Sequence, residues 1–206
     1  MAIVYPLALP SENHFRSVQM RGESTTALTR SIFTASSQVQ EHQGQMWRIE
    51  VSLRPMKREV AEQWIAWALA LAGRSGTFLM YDPAAPSPRG SLGGTPLVNG
   101  AGQSGKVLVT DGWTPSTSGL LLAGDYIQLG SGEQTRLYKV MQDVASDGGG
   151  NASIDIWPRL REAPADNEAL ITTKAKGAFR MTSDTTQWNV NVAQFYGFGF
   201  SAEEAY

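Results

Sequence analysis

The end of the chain carries the most regular pattern in the sequence. Apolar or aromatic residues recur on even positions, and asparagine or glycine occupies four of the odd positions between them; the even set is Trp188, Val190, Val192, Tyr196, Phe198 and Phe200. A period of two is that of a β-strand, whose successive side chains point to opposite faces. We therefore predict one strand over residues 188–200, about 43 Å long. Because few strands are that long, it would cross a curved sheet or extend a sheet into a neighbouring subunit.

A second alternation and a helical pattern follow one another in the first half of the chain. Residues 47–53 alternate apolar and polar side chains, which predicts a strand with one buried face. Pro55 suits the first turn of a helix, and apolar residues then recur at helical spacing over roughly residues 56–72. Trp64 and Trp67 fall on the apolar face of this helix, so we expect them to pack on a sheet rather than to bind a ligand.

Shorter strand signals occur on both sides of a segment rich in glycine and proline. Residues 14–22 and 26–35 predict two strands that form a hairpin, and residues 77–81 predict another strand. Residues 83–106 contain four prolines and six glycines, which is typical of a linker or a long surface loop. Further strands are predicted at 106–109, 125–129, 136–144 and 152–157, enough for a small barrel-like module.

The composition argues against several kinds of chemistry and several partners. The chain has no cysteine, which removes thiolate nucleophiles, disulfides and zinc-thiolate sites. A net charge of -2 with only 17% charged residues gives no reason to expect a nucleic-acid or membrane partner. The apolar start, residues 1–10, has no basic residue and ends at Pro10, so we predict neither a secretory signal nor a membrane span there.

Two motifs suggest ligand chemistry but lack the context that it needs. Gly100 to Lys106 has the glycine spacing of a phosphate-binding loop, yet Val107 stands where such a loop needs a Ser or Thr hydroxyl. The residues that follow favour a strand rather than the helix whose N-terminus would hold the phosphate. His14 and His42 are 28 positions apart, without acidic residues at metal-ligand spacing. We expect no catalytic residue, cofactor or metal.

Several stretches resemble the distal tail proteins of siphophages that infect Gram-negative bacteria. They are GTPLVNGAGQSG at 94–105, VTDGW at 109–113, LAGDYIQLG at 122–130, LYKV at 137–140, IDIWPRLR at 154–161 and YGFGF at 196–200. With the strand and helix of residues 47–72, the resemblance covers most of the chain from about residue 45. It implies a virion structural protein made in the host cytoplasm and placed at the tail tip. There, six copies would form a ring whose partners are the tail tube protein and the tail-tip hub protein.

The resemblance also implies a domain organisation. The family's ring-forming part is a β-sandwich or split barrel with a helix at its side, and a second β-domain decorates the outside. We therefore expect a mainly β protein in which residues 1–86 and 167–206 form the ring domain. Residues 87–104 would be a linker, and residues 105–166 an inserted small β-barrel-like domain. This arrangement requires the C-terminal strand to pair with the strand near Trp47.

The candidate functional residues are aromatic. Tyr196, Phe198 and Phe200 are either subunit contacts or ordinary core, and the pattern does not separate the two. Trp113 and Trp157 are expected to be exposed on the outer domain, which would suit the alternative function of a carbohydrate- or receptor-binding module of the tail tip. A third possibility is an enzyme that loosens the cell wall, although no nucleophile or acid-base constellation is recognisable.

Overall fold

The structure is a computed structural model that describes residues 3–11 and 14–206. In chain order its strands are β1 (Phe15–Glu23), β2 (Thr26–Arg30), β3 (Ser37–Glu41), β4 (Met46–Leu53), β5 (Thr77–Tyr81), β6 (Gly94–Val98), β7 (Val107–Trp113), β8 (Tyr126–Leu129), β9 (Arg136–Val140), β10 (Ala152–Trp157), β11 (Lys176–Met181), β12 (Trp188–Val190) and β13 (Tyr196–Glu204). Within the described residues there is one α-helix, α1 (Arg58–Ala70). The predicted mainly β fold with a single helix is confirmed.

The first sheet is antiparallel, with the strand order β1-β4-β13-β11-β5 and with β12 beside β13. Strand β4 shows the predicted alternation, because Ile49 and Val51 are buried while Arg48 and Glu50 are exposed. Strand β13 lies directly beside it, and Ala202 is opposite Ile49. The pairing between the C-terminal strand and the strand near Trp47 is therefore present.

Helix α1 covers the apolar face of this sheet. Trp64 and Trp67 are both buried, and the Trp67 ring lies 5.1 Å from Phe78 and 5.3 Å from Phe200. Edge-to-face and tilted ring pairs of this kind add about 0.5–1.5 kcal/mol each to the gain from burial. The two tryptophans are core residues, as the helical spacing predicted.

The single strand predicted over residues 188–200 is wrong, because the segment is a hairpin of β12 and β13. Trp188 lies opposite Phe198, and Val190 lies opposite Tyr196. At the turn, the amide of Phe195 donates to Asn191 Oδ1 at 2.9 Å, and Gln194 has a positive φ of 62°. In this register even residues face even residues, so they share one face of the ladder and the two-residue period continues through the turn.

The predicted hairpin of residues 14–22 and 26–35 is also wrong in its pairing. Strand β1 pairs with β4, whereas β2 pairs with β3. The apolar residues of β1 explain this choice, because Val18 and Met20 pack against the core beside β4. Strands β2 and β3 have no buried residue, so they have no comparable reason to join the sheet.

The second sheet is also antiparallel, with the order β6-β7-β10-β9-β8, and all of its strands lie between β5 and β11 in the chain. It has a core of its own that includes the fully buried Leu108, Ile127 and Ile154. The sequence predicts a linker or long surface loop over residues 87–104, but residues 94–98 within it form β6 of this sheet. Its Pro96 is compatible with a strand because β6 lies at the sheet edge, where a missing N–H costs little.

Buried polar contacts join the second sheet to the first. The indole N–H of Trp47 donates to the carbonyl of Leu137 at 3.0 Å, and Arg136 donates to the carbonyl of Ala205 at 3.0 Å. Arg161 and Glu204 form an ion pair of 2.7 Å with both side chains buried. Within residues 3–11 and 14–206, no helix combines the length and apolar character that crossing a bilayer requires.

Candidate subunit interface

Residues 24–44 form a projecting hairpin, which we call the arm. Among the strands that the structure describes, β2 and β3 pair only with each other, and all of the arm's residues are exposed except the half-buried Ser31. Leu28 and Val39 are directly opposite each other in the ladder, so they form one apolar patch on one face of the arm. Each strand of five residues spans about 17 Å, so the turn lies far from the body of the protein.

The tip of the arm is a turn that is closed by its own hydrogen bonds. The amide of Ser31 donates to the carbonyl of Ser36 at 2.9 Å, and the Ser31 hydroxyl accepts from the amides of Phe33 and Thr34. These bonds use the polar groups of the turn and leave its two large apolar side chains outside. Ile32 and Phe33 are 90% and 91% exposed.

The distal part of the arm is free of charge. Residues 31–40 contain no acidic or basic side chain, and within the arm Arg30 and Glu41 are the acidic or basic residues besides His42. Solvated protein surfaces normally carry charge, and its depletion is a mark of surfaces that become buried between subunits. The distal arm shares this absence of charge with such surfaces.

The base of the arm is fixed to the second sheet. Lys106 Nζ lies 2.6 Å from Glu41, and the hydrogen bond and the charge of Lys106 lower the pKa of this carboxyl. Gly22, just before the arm, lies against the Trp157 ring, since a Cβ there would be 2.6 Å from it. His42 donates its amide to the Thr25 carbonyl at 2.9 Å and so closes the base. The base of the arm is therefore attached to the body of the protein, whereas its tip is exposed.

A second unpartnered surface lies at the hairpin of β12 and β13. We call it the groove: an open depression of about 780 Å³ whose apolar wall residues include Trp188, Val190 and Phe195, with Leu53 at one end and with serine, glutamine and asparagine side chains also in its lining. The three wall residues are exposed. Among the described residues that line the groove, Arg16 is the single charged one.

The three C-terminal residues proposed as subunit contacts lie largely inside the chain. Phe198 and Phe200 are buried in the first core, and Tyr196 is half-buried with its backbone bridged to Met56. The rings of Phe200 and Phe78 are 5.7 Å apart. The exposed apolar residues of this region are instead on the partner strand β12 and in the turn that follows it.

The expected exposure of the two outer-domain tryptophans is wrong for Trp113. It is 3% exposed, and its indole N–H donates to Thr110 Oγ1 at 2.8 Å. Gly112 has a φ of 73°, and the pairing of β6 with β7 shifts register here, which turns Trp113 to the buried face. Trp157 is half-buried, with its ring perpendicular to that of Trp47 at 4.6 Å. Neither ring is a freely exposed platform for a sugar.

The loop that resembles a phosphate-binding loop leads into a strand. Residues 100, 102 and 105 are glycines with positive φ, and the next element is β7. Lys106, which would face a phosphate, is paired with Glu41. Across the described ranges, no group of three or more histidine and carboxylate side chains is arranged to hold a metal ion.

Sequence reasoning missed both unpartnered surfaces. A signal for the arm was present, because Ile32 and Phe33 are adjacent apolar residues inside a run of ten residues without charge.

Known protein families gave no match to the sequence, and curated proteins gave no significant match either.

Proposed function

We propose that this chain is a non-enzymatic structural protein of a phage virion, a distal tail protein that forms a ring at the tail tip. The sequence resemblance implies six copies in the ring, with the tail tube protein on one side and the tail-tip hub protein on the other. In this proposal the working parts are surfaces between subunits, and no residue of the chain has a catalytic or cofactor-binding role.

The observation that carries the proposal is the exposed arm. A two-stranded hairpin without a packed face is marginal in water, because ordering the backbone costs about 1–2 kcal/mol per residue. The arm has such a form, with Leu28 and Val39 on one face and Ile32 and Phe33 at the tip. Burial of these side chains against another subunit would offset the cost. This supports a chain that functions in an assembly.

The edge of the first sheet supports the same conclusion. Strand β1 is nine residues long and lies at the end of the strand order, so no strand of the described residues lies along one side of its backbone. Long edges of this kind favour pairing with another chain unless they are blocked. A ring in which the sheet of one subunit continues beside that of the next would cover this edge.

The experiment that tests the proposal is the mass of the purified protein in solution, measured by light scattering over a range of concentrations. We expect a species of about 134 kDa, which is six copies of the 22.3 kDa chain. A monomer at every concentration up to the solubility limit would contradict self-assembly through the arm.

A further inference from the structure

We propose that the tip of the arm of one copy docks into the groove of a second copy. This inference rests on the proposed ring function and names the two surfaces that meet. It makes the contact head-to-tail, since a different patch of the chain is used on each side. Interfaces of this type give closed rings when the rotation between copies closes.

The positions of the two surfaces in the fold favour this contact. The arm leaves the first sheet at the Met46 end of β4, where Glu23 of β1 is its partner. The groove lies at the other end of the same strand, because Leu53 is among its lining residues. Strand β4 spans about 24 Å between these ends. The arm extends beyond one end of the sheet, so a second copy is the chain that brings a groove to its tip.

The chemistry of the two surfaces is matched. The distal arm has no charge, and Arg16 is the one charged residue among the described residues that line the groove. Apart from Arg16, no charged side chain of the two surfaces would lose hydration when the surfaces meet. Phe33 on one side, and Trp188 and Phe195 on the other, are exposed aromatic side chains of the type that anchors interfaces. Ile32 and Val190 add exposed apolar area beside them.

The amount of surface is adequate for a specific contact. Eight exposed large apolar side chains belong to the two surfaces and to the turn beside the groove: Leu28, Ile32, Phe33, Val39, Trp188, Val190, Val192 and Phe195. At about 100–200 Å² each they offer on the order of 1,000 Å², close to the size of the smaller specific interfaces. A ring uses the contact once per subunit, so each copy contributes both an arm and a groove.

Disulfide trapping tests the contact directly, because the native chain has no cysteine. Phe33→Cys and Val190→Cys are made as separate proteins, mixed in equal amounts and oxidised. We expect a crosslinked dimer in the mixture and little in either protein alone, because a disulfide forms only where two Cα atoms come within about 7 Å. The matched control replaces Val190→Cys by Val107→Cys, a similarly exposed valine on the second sheet. Equal crosslinking to both positions, or dimers of Phe33→Cys alone, would overturn the proposed docking.

A pair of substitutions on the arm gives an independent test. Phe33→Ala should weaken self-association by about 30-fold, the loss typical of a buried interface aromatic. Thr29→Ala, on the opposite face of the arm from Leu28, should leave it unchanged. Assembly at 134 kDa without the Phe33–Val190 crosslink would contradict the docking of the arm but not the ring. A monomer without any crosslink would contradict both the docking and the ring.

Discussion

The Arg161–Glu204 pair shows how strongly single residues join the two sheets. The two side chains are 4% and 2% exposed, Arg161 Nη2 lies 2.7 Å from Glu204 Oε2, and Glu204 also accepts the backbone amide of Trp47. Arg161 donates in addition to the carbonyl of Gln45 and lies over the Tyr206 ring. Arg161 Nε and Nη2 and both carboxylate oxygens of Glu204 are therefore hydrogen-bonded, and either residue alone would be buried without its charged partner.

Removal of one partner should be costly. We expect Arg161→Met to lower the free energy of unfolding by about 3–5 kcal/mol, because it leaves the carboxyl group of Glu204 buried without its ion-pair partner. Urea denaturation of the variant and the native protein measures this difference. The matched control is Arg58→Met, which breaks the exposed pair between Arg58 and Glu62 and should cost about 0.5 kcal/mol or less. Similar losses for the two variants would show that the buried pair has no special role.

Asp125 links stability to acid pH. Burial raises the pKa of this carboxyl, but amide donors from Leu122, Arg89 and Gly90, with the Arg89 charge, outweigh burial and lower the pKa overall. A lowered folded pKa means that the stabilisation is present above the unfolded value of about 3.9 and is lost as the pH falls through the folded value. We expect Asp125→Asn to be less stable at neutral pH and to lose less stability on acidification. Parallel curves of unfolding free energy against pH for the two proteins would contradict this.

At the scale of elements, the patterns predicted where strands and the helix lie better than how they pair. The alternation in β4 and the helical spacing of Trp64 and Trp67 depend on burial of one face, and both are present in the fold. Pairing depends on contacts between distant residues. The period of residues 188–200 is the same for one long strand and for a hairpin in the observed register, so the alternation alone could not separate them.

The arm is the element whose removal should separate folding from assembly. Thr25 and His42 are hydrogen-bonded across the base, so residues 26–41 can be replaced by Asn-Gly, a dipeptide that suits a tight hairpin turn. The arm buries almost no side chain in its own chain, and the Lys106–Glu41 pair that is lost with it is exposed. We therefore expect a nearly unchanged free energy of unfolding and loss of the 134 kDa species. Thermal unfolding and light scattering measure the two properties. A variant that folds and still assembles would show that the arm is dispensable.

At the scale of the whole molecule, the chain joins a sheet covered by a helix to a second sheet inserted between β5 and β11. The β-rich class was predictable because turn residues and alternating segments are local features of the sequence. The candidate contact surfaces were not predictable from such local features. Exposure of Ile32 depends on which strands become neighbours, and burial of Trp113 depends on where a bulge turns side chains to the other face of the sheet. The candidate aromatic residues chosen from the sequence pattern are therefore mostly core residues. The exposed apolar residues without a partner lie in other segments, on the arm, on β12 and in the turn after β12.

The proposed closure of this chain into a ring can be tested by the rotational symmetry of single particles. Negative-stain images of the purified protein should give end-on class averages with a central hole and six equivalent subunits. Compact particles of one chain, or open filaments without closure, would contradict the proposed ring.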